Sequence, residues 1–394
     1  MSLPVPIPDL HKVSMIPYGR QHVSENDIEA VVEILRSDFL TQGPTVPRFE
    51  QAVASYCRAP HAVAVNSATS ALHIACLALG VSPGDRVWTS PNTFVASANC
   101  ARYCGAQIDF IDIDPVTYNL CPQQLADRLE QAERQGTLPK VVIPVHFAGQ
   151  PCDMAAIHAL ARKYEFKIIE DASHAIGARY RDTITGDCTY SDITVFSFHP
   201  VKVITTGEGG MATTRSAQLA RQMQLLRSHG ITRDVAELEK QTEGPWYYEQ
   251  QMLGFNYRMT DLQAALGVSQ LHNLDAWILR RHVLADQYDA AFADLDVIRP
   301  VRVPESRSSL HLYCIQVANR RAAFDGLRSS GVGVNVHYIP VHMQPDFQRL
   351  GFQAGQFPAT EKYYSCALSL PMFSSLTDDE QDHVVEAVSK VVSS

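Results

Sequence analysis

The chain has no run of about 18 apolar residues, so nothing in it reads as a membrane-spanning helix. It also lacks an excess of positive charge. Lys and Arg number 33 against 42 Asp and Glu, a formal net charge of −9. Nucleic-acid and anionic-membrane partners both call for a basic footprint, so neither is expected. The nine cysteines are scattered, with Cys100 and Cys104 the nearest pair and no CxxC. They read as reduced, partly buried thiols of a cytoplasmic protein, not as a disulfide framework. The 15 histidines include no HExxH, and Pro340 between His337 and His342 spoils a helical pair, so no metal is expected. GxxxxGK[ST] and GxGxxG are both missing, which removes the nucleotide P-loop and the dinucleotide fingerprint. Residues 1–14 carry three prolines and no apolar core. They read as a loose lead-in, not a signal peptide.

What is present is ordinary globular material: 46 % hydrophobic and 19 % charged residues, too apolar for disorder. At roughly 150 residues per domain, 394 residues predict one large domain and one smaller one. Short apolar runs alternate with amphipathic ones. Strands are expected at 61–65, 85–89, 107–113, 140–145, 167–170, 193–198 and 210–213. Helices are expected at 70–79, 94–103, 153–164 and 216–228, with a loop at 232–249 and one long helix from 260 to about 295. Buried strands separated by helices predict an α/β sheet covered on both faces. Farther on, strands at 311–317 and 332–337 and helices at 322–330 and 378–392 predict a smaller α+β unit. The division is placed near residue 275, giving a large domain over 15–275 and a small one over 276–394.

Four segments carry potential chemistry. Phe196 to Gly210 runs from a strand through His199-Pro200-Val201-Lys202 to the glycine turn Gly207-Glu208-Gly209-Gly210. A lysine among apolar and hydroxyl residues loses pKa and becomes a better amine nucleophile, one that forms Schiff bases with aldehydes. By itself the segment reads more readily as a surface lysine beside a glycine turn. Lys167-Ile168-Ile169-Glu170-Asp171 is an apolar strand ending in adjacent acids, where open α/β sheets bind ligands. Such an acid either holds a protonated ring nitrogen or is a plain helix cap. Asn66-Ser67-Ala68-Thr69-Ser70 turns a strand into a helix through small residues. It suits a phosphate on free amides, or simply an N-cap. Phe94, after Pro91-Asn92-Thr93, either stacks on a flat ring or belongs to the core. Together the four supply a phosphate cradle, a stacking surface, a ring-nitrogen acid and a Schiff-base lysine, the set that pyridoxal phosphate (PLP) requires.

With these residues quoted, the chain resembles the fold-type-I, aspartate-aminotransferase-like PLP enzymes, and more narrowly the DegT-type nucleotide-sugar aminotransferases. Thr41-Gln42-Gly43-Pro44, Asn66 to Leu72, Glu170 to Ala175, Ser197 to Gly210 and Gly254 to Asp261 carry the resemblance, which covers roughly residues 15 to 394. Within the family, Ser197 to Gly210, Leu226 to Gly230 and Asn335 to His342 are most similar to the 4-aminotransferases of pseudaminic acid synthesis. Val203 departs from the proline the resemblance predicts.

The resemblance implies a large domain with a mostly parallel seven-stranded sheet and a smaller α+β C-terminal domain. It implies Lys202 as the lysine in Schiff-base linkage with PLP and Asp171 on the ring nitrogen. His174 would lie near the phenolic oxygen, and Ser67, Ala68, Thr69 and Ser197 about the phosphate. Phe94 would lie against the ring. Asn256 would reach the phosphate from a partner subunit, so the resemblance implies a homodimer with shared sites. Substrate contacts would come from Tyr18, Asp38, Phe39, Leu40, Thr41, Ala68, Ser197, Asn256, Arg258, Asn335, Val336, His337 and Tyr338. The implied reaction moves the amino group of L-glutamate to C4 of a UDP-linked 4-keto-6-deoxy-N-acetylhexosamine, giving UDP-4-amino-4,6-dideoxy-N-acetyl-beta-L-altrosamine. Amination at C3, a dTDP-linked sugar, a cyclitol, or PLP lyase chemistry are the alternatives. A desulfurase needs a reactive cysteine on a loop, and Cys314 and Cys366 lie in strand-like and helix-like patterns.

Overall fold

The computed structural model describes residues 15–393, so the lead-in expected over 1–14 lies outside the described residues. Two helices that periodicity alone does not announce come first. α1 (Glu25–Leu35) starts on a capping box in which the Ser24 hydroxyl accepts the Asp27 N–H and the Asp27 carboxylate accepts the Ser24 N–H. α2 (Thr45–Cys57) starts beneath a distant carboxylate. Asp261 accepts the N–H groups of Gly43 and Thr45, both at 2.8 Å.

Strands and helices then alternate. β1 (His61–Val65) leads into α3 (Ala68–Ala78), β2 (Arg86–Thr89) into α4 (Ala96–Tyr103), β3 (Gln107–Phe110) into α5 (Pro122–Gln135), and β4 (Val141–Ile143) into α6 (Met154–Tyr164). β5 (Lys167–Asp171) is followed by the short pair β6 (Arg179–Tyr180) and β7 (Thr183–Ile184), then β8 (Ile193–Ser197), β9 (Gly210–Thr214) and α7 (Ala217–Arg227). β10 (Ile231–Thr232) and β11 (Glu249–Gln250) pair at the base of the expected loop. After it come α8 (Asp261–Leu271), α9 (Leu274–Ala291), β12 (Ser306–Arg307), β13 (Tyr313–Gln316), α10 (Arg320–Ser329), α11 (Pro345–Gln348), α12 (Pro358–Cys366), β14 (Ala367–Leu370) and α13 (Asp378–Val392).

The main sheet has the order β1-β9-β8-β5-β4-β2-β3. Only β9 runs against the others, pairing antiparallel with β1 and β8. Alternation along β1 shows how both faces are covered. Val63 and Val65 pack with residues of α3, α4 and α7, while Ala62 and Ala64 pack with Phe49 of α2 and Ala264 of α8. On the far half of the sheet, Leu125, Leu129 and Ile157 of α5 and α6 cover Trp88, Val142 and Ile168.

The smaller C-terminal domain packs Leu284 and Tyr288 of α9, Leu327 of α10 and Val384 and Val388 of α13 onto Ile315 and Leu368 of the β13–β14 pair. α9 serves two cores. Its first half gives Leu274, Trp277 and Ile278 to the sheet side, and its second half joins the C-terminal core. Between the halves, buried Arg281 donates to the carbonyls of Leu310, His311 and Met372.

Three expectations need correction. The helix expected over 260–295 is two helices, because backbone bonds tighten at the end of α8 and His272-Asn273, both weak helix formers, separate it from α9. Residues 332–337 form no strand. Gly333 passes so close to Ile16 that a Cβ would lie 2.8 Å from the Ile16 carbonyl, and only isolated bridges, Ile16 with Val332 and Asn335 with Ser369, are made. The strand expected over 107–113 stops at Phe110, where the chain turns back on itself through Asp112 and Asp114.

Asp261 is fully buried and, among the described residues, is the only acceptor for the Gly43 and Thr45 amides at the start of α2. Replacing it with alanine leaves a buried N–H, that of Thr45, and a half-buried one, that of Gly43, unpaired. Asp261→Ala is expected to cost about 2–4 kcal/mol, read as a lower urea midpoint at unchanged slope.

Candidate active site

Six of the seven strands point the same way, so their C-terminal ends share one edge of the sheet. There β1, β2, β4, β5 and β8 deliver Ser67, Thr93 and Phe94, Val145, Asp171 and Ser197. β9 enters at the same edge through Gly210, which pairs with both Val65 and Ser197. A cavity of about 810 Å³ opens at this edge, closed from above by Tyr18 and by residues 335–338 of the C-terminal domain.

The turn from β1 into α3 is capped by Ser67, whose hydroxyl accepts the Ser70 N–H at 3.1 Å. The next amides, of Ala68 and Thr69, meet no acceptor among the described residues and open the helix toward the cavity. Gly210 keeps this cradle clear, because a Cβ there would lie 2.5–2.6 Å from the Ser67 and Ala68 backbone. Free first-turn amides and a helix N-terminus favour a phosphate.

Across the cavity, Asp171 ends β5. One carboxylate oxygen accepts the N–H and hydroxyl of Ser173 at 3.1 and 2.6 Å, and the other accepts the Ser97 hydroxyl at 2.6 Å. Behind it Glu170 points to the opposite face. Its carboxylate takes bonds from His146, Ser191 and Thr194 that outweigh its burial and hold its pKa low. The two adjacent acids therefore part, one structural and one facing the cavity.

The Lys202 amine makes no hydrogen bond or ion pair among the described residues. Burial pushes its pKa down to about 8, with the negative charge of Asp171 opposing. The same buried surroundings and the charge of Lys202 hold His174, His337 and His311 neutral. The Ala148 N–H points at Nδ1 of His174 (3.3 Å), so the His174 proton sits on Nε2 and is donated to the Tyr338 oxygen at 3.0 Å. The Tyr338 proton is then left for a ligand. Phe94 is 59 % exposed, its ring bare on the cavity wall 6.3 Å from that of Tyr338.

Of the residues expected from sequence, the structure brings together Tyr18, Ser67, Ala68, Thr69, Phe94, Asp171, His174, Ser197, Lys202, Asn335, Val336, His337 and Tyr338 around one cavity. It does not bring there Asp38, Phe39, Leu40, Thr41, Asn256 or Arg258. Asp38 to Thr41 and Asn256 are exposed, and Arg258 lines a separate surface pocket with Gln42, Arg221 and Arg227. Missed by sequence reading were Ser97, Thr93, Ser173 and His311. Only Ser173, two residues after Asp171 in an Asx-type turn, left a local signal.

Residues 21–389 match the DegT/DnrJ/EryC1/StrS aminotransferase family. The chain belongs to this family. It is 40 % identical over 386 residues to the spore coat polysaccharide biosynthesis protein SpsC of Bacillus subtilis, covering 96 % of this chain and 97 % of that protein. It is 35 % identical over 363 residues to the UDP-4-amino-4,6-dideoxy-N-acetyl-beta-L-altrosamine transaminase of Campylobacter jejuni (strain 81-176), covering 91 % and 92 %. The PLP form of the sugar aminotransferase Spr1654 from Streptococcus pneumoniae superposes with a TM-score of 0.87 at 29 % identity, covering 96 % and 99 %.

The protein is thus a PLP-dependent sugar aminotransferase of the aspartate-aminotransferase-like fold. The site fits that cofactor on its own terms: unpaired amides at one end, a bare aromatic ring on the wall, a pinned carboxylate at the other end and an unpaired amine between. Only a neutral amine attacks an aldehyde. Capture of PLP by the apo-protein is therefore expected to quicken as pH rises through about 8, not through the ordinary lysine value of 10.5. Stopped-flow absorbance in the near-visible region checks this.

Proposed function

We propose that this aminotransferase moves the amino group of L-glutamate to C4 of a UDP-linked 4-keto-6-deoxy-N-acetylhexosamine, with Lys202 as the base and Asp171 as the ring-nitrogen acid. The observation that carries the reading is the unpaired, buried amine of Lys202 facing a cavity whose other end is a fully hydrogen-bonded carboxylate. PLP, when bound, supplies an aldehyde carbon that accepts the amino group and a protonated ring that draws electrons from the substrate carbon. Asp171 would face the ring nitrogen and favour its protonated form. Ser67, Ala68, Thr69 and Ser197 would hold the phosphate, and Phe94 would lie against the ring. Lys202 would hold the cofactor through its amine and, as a free amine, would be the base that moves the proton at the substrate carbon.

Neutral His174 holds the Tyr338 oxygen and leaves the Tyr338 hydroxyl proton free to be donated into the cavity. Tyr18 and residues 335–338 would frame the sugar, and the absence of any charged side chain among Asn335, Val336, His337 and Tyr338 suits a neutral acetamido hexose. C. jejuni transaminases named for a UDP-4-amino sugar are among the relatives, which supports the acceptor. The greater identity to SpsC, 40 % against 35 %, favours a second reading in which the chemistry is the same and the sugar differs.

The enzyme is further taken to be a cytoplasmic homodimer. All nine cysteines are free thiols, and no helix among the described residues is long and apolar enough to cross a membrane. Asn256, Arg258 and Asp38 to Thr41 lie outside their own cavity, flanked by exposed Phe39, Leu40 and Leu253. They serve a partner's cavity, Asn256 at the phosphate and Arg258 at an anionic group of donor or diphosphate.

These readings are tested as follows. L-glutamate is expected to bleach the near-visible cofactor band of the wild type, and Lys202→Ala to abolish turnover. UDP- and dTDP-keto sugars assayed side by side then choose the acceptor. For the shared site, Lys202→Ala and Asn256→Ala are each expected to lower activity on their own. Mixed, they should regain part of it, because one of the two sites in a heterodimer is intact. A mixture no more active than the two separate variants places Asn256 in its own chain's site.

A further inference from the structure

Asp171 is held from a helix 74 residues away. The Ser97 hydroxyl lies 2.6 Å from one Asp171 oxygen, and the Thr93 hydroxyl lies 2.7 Å from that of Ser97. Both side chains are buried, with relative exposures of 1 and 2 %. Their proton order is fixed by chemistry. A carboxylate only accepts, so the single Ser97 proton goes to Asp171, and the Thr93 proton must go to the Ser97 oxygen. Hydrogen bonds that run in one direction polarise one another, so the Ser97 bond is strengthened by the one behind it.

These hydroxyls are not spent on the helix they begin. α4 has Val95 at its N-cap and no side-chain cap, although Thr93 and Ser97 flank that end. Serine and threonine in such places ordinarily cap. Here they turn to each other and to Asp171. Ser97 is itself fastened, since its carbonyl accepts the Cys100 thiol at 3.2 Å and its N–H bonds the Phe94 carbonyl at 3.3 Å. The residue whose carbonyl holds Ser97 is thus the one whose ring lies bare on the cavity wall.

We infer that Thr93 and Ser97 form a directed hydroxyl relay that positions the Asp171 carboxylate and sets how strongly it holds the proton on the cofactor's ring nitrogen. This deepens the assignment of Asp171 given above and rests on it. Ser173 occupies one carboxylate oxygen and Ser97 the other. Neither oxygen can rotate, and three donors spread the negative charge. A carboxylate so held keeps its orientation, and the donors on it set how much negative charge it turns toward the ring nitrogen. Ser97 and Thr93 are positioning residues: they act through Asp171.

The test compares wild type, Ser97→Ala, Thr93→Val and Asp171→Asn by the pH titration of the near-visible band of the PLP-loaded protein, and by the affinity of the apo-protein for PLP. Loss of the Ser97 donor concentrates negative charge on Asp171, which favours the protonated form of the Lys202-linked cofactor. The Ser97→Ala midpoint is expected to move upward by about half a pH unit, with PLP binding about tenfold weaker. Thr93→Val should move the midpoint the same way by less. A role in packing alone would lower the melting temperature and leave the midpoint in place. A Ser97→Ala midpoint at the wild-type value overturns the relay. Should that variant fail to fold, Thr93→Val decides, and an unmoved midpoint overturns it. Asp171→Asn separates the two levels of the argument: if it titrates and binds PLP like wild type, the assignment of Asp171 itself has failed.

Discussion

A lysine taken out of water without a partner is the constraint around which the site is arranged. Moving the Lys202 pKa from 10.5 to about 8 means that its charged form is disfavoured in the fold by roughly 3 kcal/mol. The penalty is complete below pH 8 and fades as pH rises toward 10.5, so the fold gives up stability across the neutral range to keep this amine reactive. An ion pair would remove the cost and the nucleophile together. Asp171 lies near enough to oppose the shift, yet its two oxygens are occupied by Ser97 and Ser173, and it does not reach the amine. The neighbouring histidines share these surroundings: burial first, and the charge of Lys202 second, keep His174, His311 and His337 uncharged.

The sheet makes such an arrangement available. Co-directional strands bring the ends of β1, β2, β4, β5 and β8 to one edge, and the reversal of β9 adds a sixth entry there through Gly210. Residues 143 positions apart in sequence, Ser67 and Gly210, come close enough that a single methyl at Gly210 would fill the phosphate cradle. The rigidity of the scaffold matters because the four parts of the proposed site would act on one small planar group. A shift of one part relative to the others would lose the alignment.

What could be read from the sequence was what is local. The strand ending in Asp171, the N-cap Ser67 and the Lys202 segment each carry their signal within a few residues, and each is where it was expected. The order of the pieces along alternating strands gave the fold. What could not be read was what depends on distant partners. Nothing near Ser97 says that its hydroxyl faces a carboxylate 74 residues onward, or that Thr93 backs it. The start of α2 is set by Asp261, more than 200 residues later. The division between Glu170 and Asp171 needed the sheet as well, since adjacent strand residues face opposite sides and only one faces the cavity. Residues 332–337 looked like a strand by composition, but close passage of Gly333 against Ile16 forces a different path.

That path separates chemistry from selection. The parts that would hold PLP and move protons come from strand ends, the segments that follow them and a helix N-terminus of the large domain. The parts that would meet the sugar, Tyr18 and residues 335–338, come from two irregular segments lashed together. Ile16 bonds to Gly331 and Gly333, Tyr18 to Met372, and Asn335 to Ser369. Irregular backbone tolerates substitution more readily than a buried parallel sheet. A family can then keep one amine chemistry while its members differ in acceptor, and relatives 35–40 % identical to this chain can bear names that point to different glycans. Identity over the whole chain mostly reports the scaffold. The acceptor of this enzyme is therefore to be sought in the side chains of Tyr18 and residues 335–338, together with the surface segments at Thr41 and Arg258 that a second copy would bring.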